Sequence, residues 1–175
     1  MRRIILLIIG VFVLNACAHK KGKSESDIRI GENLQSNRYG TIYFSKQPDD
    51  KDWAKLKEQG FETIINLREP SEHDEKNERK LIVKSGMTYV NIPFPKKMKL
   101  DNNYVSKVTK EVMKNKDKGK ILIHCSSGNR VGIWVGAHFY KDHGFSKKES
   151  INTAKAHGLN KPEAINKLKK YFENN

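Results

Sequence analysis

The ten residues Ile121-Leu122-Ile123-His124-Cys125-Ser126-Ser127-Gly128-Asn129-Arg130 constrain this chain more than any other stretch. Residues 120–124 are a short apolar strand, and residues 125–129 form a tight loop. A mostly apolar segment (Ile133, Trp134, Val135, Ala137, Phe139, Tyr140) then runs at helical spacing to Gly144. A strand that passes through a short loop into a buried helix belongs in a sheet covered on both faces, so the expected class is α/β.

The other signals agree with that class. Strand patterns lie at residues 41–44, at 61–68 (Phe61-Glu62-Thr63-Ile64-Ile65-Asn66-Leu67-Arg68) and at 88–92. Helix signals lie between them. Asp49 caps a helix over 50–59 that Gly60 stops, and a charged helix over 72–85 is closed by Gly86. Asp101 or Asn102 then opens a helix whose residues Tyr104, Val105, Val108, Val112 and Met113 form a core stripe. Ser146-Lys147-Lys148-Glu149 is a capping box, and Pro162 suits the first turn of a last helix. Strands separated by helices imply right-handed crossovers and a mainly parallel sheet flanked by helices.

The N-terminus reads as a targeting segment. Met1-Arg2-Arg3 leads into the apolar run from Ile4 to Leu14, which is too short to span a bilayer well. Leu14-Asn15-Ala16-Cys17 resembles a bacterial lipobox, in which the cysteine is lipidated. The expected organisation is a signal peptide over 1–16, a lipidated Cys17 with a polar tether over 17–37, and one folded domain over 38–175. That resemblance implies an exported lipoprotein on the outer membrane facing the periplasm, bound to the membrane through its anchor. With Cys17 alkylated, Cys125 is the one remaining thiol and no intramolecular disulfide is possible.

The formal net charge of +14 favours anionic partners. Nucleic acid is not expected, because Lys96, Lys97, Lys99, Lys114, Lys116, Lys118 and Lys120 are spread out without interleaved aromatics. No cofactor is implied, and His73, His124, His138, His143 and His157 lack partners at metal-ligand spacing, so no metal is expected.

The loop carries the chemistry. At the carboxyl end of a parallel strand, the next helix directs unpaired N–H groups and a positive dipole end at Cys125, which favours an oxyanion and a thiolate. Ser126, Ser127, Gly128 and Asn129 are compact enough for backbone amides to close around an anion, and Gly128 permits positive φ. Arg130 offers a planar fork suited to two oxygens of a tetrahedral anion. His124 points away from Cys125 by strand alternation, which makes it a loop support rather than a base.

From these residues the chain resembles the cysteine-based protein phosphatase superfamily. It is similar in particular to small bacterial protein-tyrosine or dual-specificity phosphatase-like domains, the family also found fused to β-lactamase-like hydrolases. Ser45-Lys46-Gln47-Pro48, Gly60-Phe61 to Asn66-Leu67-Arg68, Tyr89-Val90-Asn91-Ile92-Pro93 and His124-Cys125 through Gly132 follow that pattern in order over residues 38–142. The resemblance implies a four- or five-stranded sheet with the loop beneath the pocket. It also implies a Cys125 nucleophile that forms a phosphocysteine, and an Arg130 that stabilises the phosphoryl transition state.

Three features depart from the family pattern. The spacing is Cys-x4-Arg where the phosphatases carry Cys-x5-Arg, and Cys-Ser-Ser-Gly-Asn-Arg fits the rhodanese form Cys-x-x-Gly-x-Arg, which cradles a persulfide. Val131 stands where a hydroxyl residue follows the arginine. Phe94-Pro95-Lys96 stands where an acid is expected, leaving Asp101 as the nearest carboxylate, either a general acid or a helix N-cap. The expected function is therefore a cysteine-dependent phosphomonoesterase, with a rhodanese-type sulfurtransferase and a non-catalytic phosphate-binding module as alternatives.

Overall fold

Residues 24–95 and 99–175 are described by the structure, a computed structural model. The apolar run Lys120–His124 is strand β6, and it occupies the middle of a six-stranded sheet. On one side it pairs in parallel with β3 (Ile42–Ser45), and on the other with β4 (Phe61–Asn66), which pairs in parallel with β5 (Thr88–Asn91). Both neighbours supply backbone hydrogen bonds to β6, so its residues can be apolar on both faces.

Side-chain alternation sorts those residues into two cores. Ile121, Ile123 and Cys125 enter the larger one, with Phe44, Ile65 and residues of α3 (Asn102–Asn115), α4 (Asn129–His143), α5 (Lys147–Ala156) and α6 (Pro162–Glu173). Leu122 enters the smaller one, with Tyr43, Phe61, Ile64, Trp53 and Leu56 of α1 (Asp52–Glu58), and Ile82 of α2 (Glu75–Lys84). One sheet covered by helices on both faces is the expected α/β class.

Three expectations are corrected. Residues 24–37 are not a tether, because β1 (Ser24–Ile30) and β2 (Leu34–Tyr39) form an antiparallel hairpin whose second strand pairs with β3. The sheet therefore has six strands, four of them parallel. Ile30 and Leu34 are 3% and 5% exposed in the smaller core, where burying each is worth about 1.5–3 kcal/mol. The hairpin turn is fixed to α1 through Asp52, whose carboxylate accepts from the Glu32 and Asp49 N–H groups at 2.9 and 2.8 Å. The helix expected over 72–85 starts later, at Glu75, after a separate 3-10 turn at Pro70–Glu72. The signal segment 1–16 and Cys17 lie outside the described residues.

Candidate active site

Cys125 follows directly on β6 and is fully buried beneath the first turn of α4. The chain turns there at Gly128, whose φ of 85° lies in the left-handed region that favours glycine. This turn directs the Gly128 N–H at the Cys125 sulfur, 3.2 Å away. The N–H and the N-terminal end of the 15-residue helix α4 both favour negative charge at that point.

Ser126 and Ser127 are exposed at the surface of the loop. The Ser126 carbonyl accepts from the Gln47 N–H at 3.4 Å, which ties the loop to the β3–α1 connection. The Asn129 side chain ties the loop to a neighbouring connection. Its Oδ1 accepts from the Asn160 and Lys161 N–H groups at 3.0 and 2.9 Å, and its Nδ2 donates to Asn160 Oδ1 at 2.9 Å. Asn129 Nδ2 also donates to Ser127 Oγ at 3.3 Å, so the side chain braces the loop internally while latching it to the α5–α6 connection.

Arg130 sits in the first turn of α4 and meets a carboxylate that the sequence did not single out. Its Nη1 and Nη2 donate to Glu72 Oε1 and Oε2 at 2.7 and 2.8 Å, and Nη1 also reaches the Leu67 carbonyl at 3.4 Å. Burial works against its charge, but the Glu72 hydrogen bonds and the neighbouring Cys125 outweigh it and raise its pKa. With both ends of the guanidinium held by Glu72, the side edge carrying Nε is the part available to an anion.

His124 lies on the other face, as alternation predicts. It is fully buried, its ring centroid is 6.0 Å from that of Trp53, and its Nε2 is 3.7 Å from Glu78 Oε1, beyond hydrogen-bond length. Neither ring nitrogen has a hydrogen-bond partner, so its support of the loop is packing together with its carbonyl, which accepts from the Leu67 N–H at 2.9 Å. Burial first, then the charges of Arg68, His73 and Arg130, lowers its pKa to about 3. A ring neutral at physiological pH and turned away from Cys125 is no proton shuttle.

Asp101 is the N-cap of α3, accepting from the Tyr104 N–H at 2.9 Å. The carboxylate at the site is Glu72, which belongs to the 3-10 turn Pro70–Glu72 and not to the first turn of a helix over 72–85. Pro70 one turn after the β4 strand marked the break. Behind Glu72 stands Arg68, which donates to Gln47 Oε1 and to the Glu72 carbonyl.

A family model described as "Tyrosine phosphatase family" matches residues 34–138, more than half of the chain. The match does not extend to any association with β-lactamase-like hydrolases. A comparison with the sequences of curated proteins found no match. Among solved structures, P. aeruginosa TpbA in complex with pTyr is 17% identical with a TM-score of 0.62, covering 78% of this chain and 81% of that chain. A putative phosphatase from Shewanella putrefaciens is 21% identical with a TM-score of 0.61, covering 82% of this chain and 86% of that chain. Kinase associated phosphatase, with its catalytic site cysteine substituted by serine, is 17% identical with a TM-score of 0.62, covering 76% of this chain and 86% of that chain. At these identities the structures establish a shared fold, whereas the family model covers the sequence from β2 into α4, Cys125 and Arg130 included: the chain belongs to the tyrosine phosphatase family.

Proposed function

We propose that this chain is a cysteine-dependent phosphomonoesterase. The observation that carries the reading is the Gly128 N–H aimed at a buried Cys125 sulfur, one helical turn from an arginine whose fork is held by Glu72. In the first step the Cys125 thiolate forms a bond to phosphorus as the ester P–O bond breaks, and the departing oxygen takes a proton from water. In the second step water attacks phosphorus, the S–P bond breaks, and inorganic phosphate and the thiolate are released. Arg130 and the loop amides stabilise charge on the transferring group.

Asp101 is engaged as a helix cap and Glu72 as a partner of Arg130, so neither is placed to donate a proton. Such a site suits leaving groups that need little protonation, and aryl phosphates of the phosphotyrosine type are the proposed class. The four-residue spacing keeps a sulfurtransferase as the second reading, with Cys125 carrying a persulfide.

Both readings are tested by assaying the purified full chain against aryl and alkyl phosphates, and against thiosulfate with cyanide. Phosphate release from aryl esters is expected, to vanish in Cys125→Ser and to fall by about 10²–10³ or more in Arg130→Ala. Thiosulfate turnover without phosphate release would reject the phosphatase reading. Phosphate binding without either turnover would leave a binding module.

A further inference from the structure

We infer that Arg68 is a positioning residue of this site, setting the orientation of Arg130 through Glu72. The inference deepens the proposed function and rests on it. Arg68 lies just beyond β4, and its planar guanidinium joins two loops that the sheet leaves separate. Nη1 donates to Gln47 Oε1 at 2.6 Å in the β3–α1 connection, and Nη2 donates to the Glu72 carbonyl at 2.7 Å in the 3-10 turn. Its own N–H donates to Asn66 Oδ1 at 2.8 Å, which fixes the base of the side chain.

Each end of this bridge leads back to the catalytic loop. On one side the Glu72 carboxylate takes both ends of the Arg130 fork. On the other, the Gln47 N–H reaches the Ser126 carbonyl at 3.4 Å, and Gln47 Nε2 donates to Glu78 Oε1 at 2.7 Å. Glu78 is 4% exposed and is held by Asn66 Nδ2 at 2.7 Å and His73 Nε2 at 2.8 Å. Ser126, Gln47, Arg68, Glu72 and Arg130 thus form a ring of contacts around the loop that carries Cys125.

The consequence for chemistry is directional. Glu72 fixes which edge of Arg130 is presented, and Arg68 fixes where the Glu72 backbone sits. A lysine has no planar fork and cannot reproduce both contacts in fixed geometry. Displacing Arg130 by a fraction of an ångström affects the transition state more than the bound ground state, because the equatorial oxygens are aligned only there.

The test compares wild type, Arg68→Ala, Arg68→Lys, Glu72→Gln and the Arg68→Ala/Glu72→Gln double variant of the full chain. The readouts are kcat and KM on an aryl phosphate, the Kd of inorganic phosphate by calorimetry, and the melting temperature. Arg68→Ala is expected to lower kcat about ten- to hundredfold with KM changed less than about threefold. Arg68→Lys is expected not to restore it. The double variant should be no worse than Glu72→Gln within about twofold, because the two residues act in series. Gln47→Ala, which removes the far anchor of the same guanidinium, should reproduce a smaller fall in kcat even if Arg68→Ala fails to fold.

Losses that multiply in the double variant overturn the inference, as does a lower melting temperature with unchanged kcat. A wild type that binds phosphate without turnover fails as a phosphatase only. The same series non-additivity, read in Kd, then sustains the positioning role, and additivity overturns it. A wild type that neither hydrolyses nor binds phosphate overturns both.

Discussion

Arg130 and Glu72 meet across 58 positions of sequence in a two-point hydrogen-bonded pair, and that pair decides how the proposed anion clamp can be used. A free guanidinium could approach a phosphate end-on; one held by Glu72 presents its side edge instead. His124 shows the opposite situation, a titratable residue next to the proposed nucleophile but turned to the other face of the sheet. With its pKa held at about 3 by burial and by the surrounding positive charges, it is neutral throughout the working range. Replacing His124 by Asn is therefore expected to leave the shape of the kcat/KM profile between about pH 5 and about pH 8 unchanged. The loss of a limb of that profile in the variant would assign His124 a proton in the reaction.

Helix α4 is the element on which the site depends, since it carries Gly128 at its cap and Arg130 in its first turn. Its position is set by close approach to the α5–α6 connection. A Cβ on Gly132 would lie 2.6 Å from the Leu159 nitrogen and 2.8 Å from the Leu159 Cβ, so the backbones themselves would have to part. The same connection supplies the Asn160 and Lys161 N–H groups that hold Asn129. Gly132→Ala is expected to cost about 1–3 kcal/mol and to lower kcat as the latch at Asn129 loosens. Thermal unfolding and aryl phosphatase assays check both effects together, and an unchanged melting temperature would show that the two segments separate freely.

Across the whole molecule, buried neutral histidines tie stability to pH. His157, 1% exposed beside Phe44 in the larger core, has its pKa lowered to about 4 by burial, and His124 sits at about 3, both against an ordinary value of 6.5. Between those values and 6.5 the unfolded chain binds a proton at each histidine that the folded chain does not. Stability is then complete above about pH 6.5 and falls as the pH drops towards each folded value, by up to about 1.4 kcal/mol per unit for each group. Urea unfolding at about pH 7 and about pH 5 is expected to give a lower midpoint at the acid value, with a smaller drop in His157→Gln. Equal midpoints for the wild type would overturn this linkage.

The central strand, the turn at Gly128 and the buried helix after it were legible in residues 120–144, because local periodicity and one glycine suffice to specify strand, loop and helix. Cys125 and Arg130 were legible as a candidate pair for the same reason, being five positions apart on that unit. The hairpin was not. Only Ile28, Ile30 and Leu34 stand out from a polar segment, and their burial depends on a core built by α1 and α2, far along the chain. Glu72 as the partner of Arg130, Arg68 behind it, and Asn129 as a latch to Asn160 were likewise decided by tertiary structure alone. Sequence determines which groups can bind an anion, since that follows from side-chain chemistry and local turn geometry. Which edge of Arg130 faces the anion depends on loops 58 residues apart meeting over the end of one sheet, and no local pattern encodes that meeting.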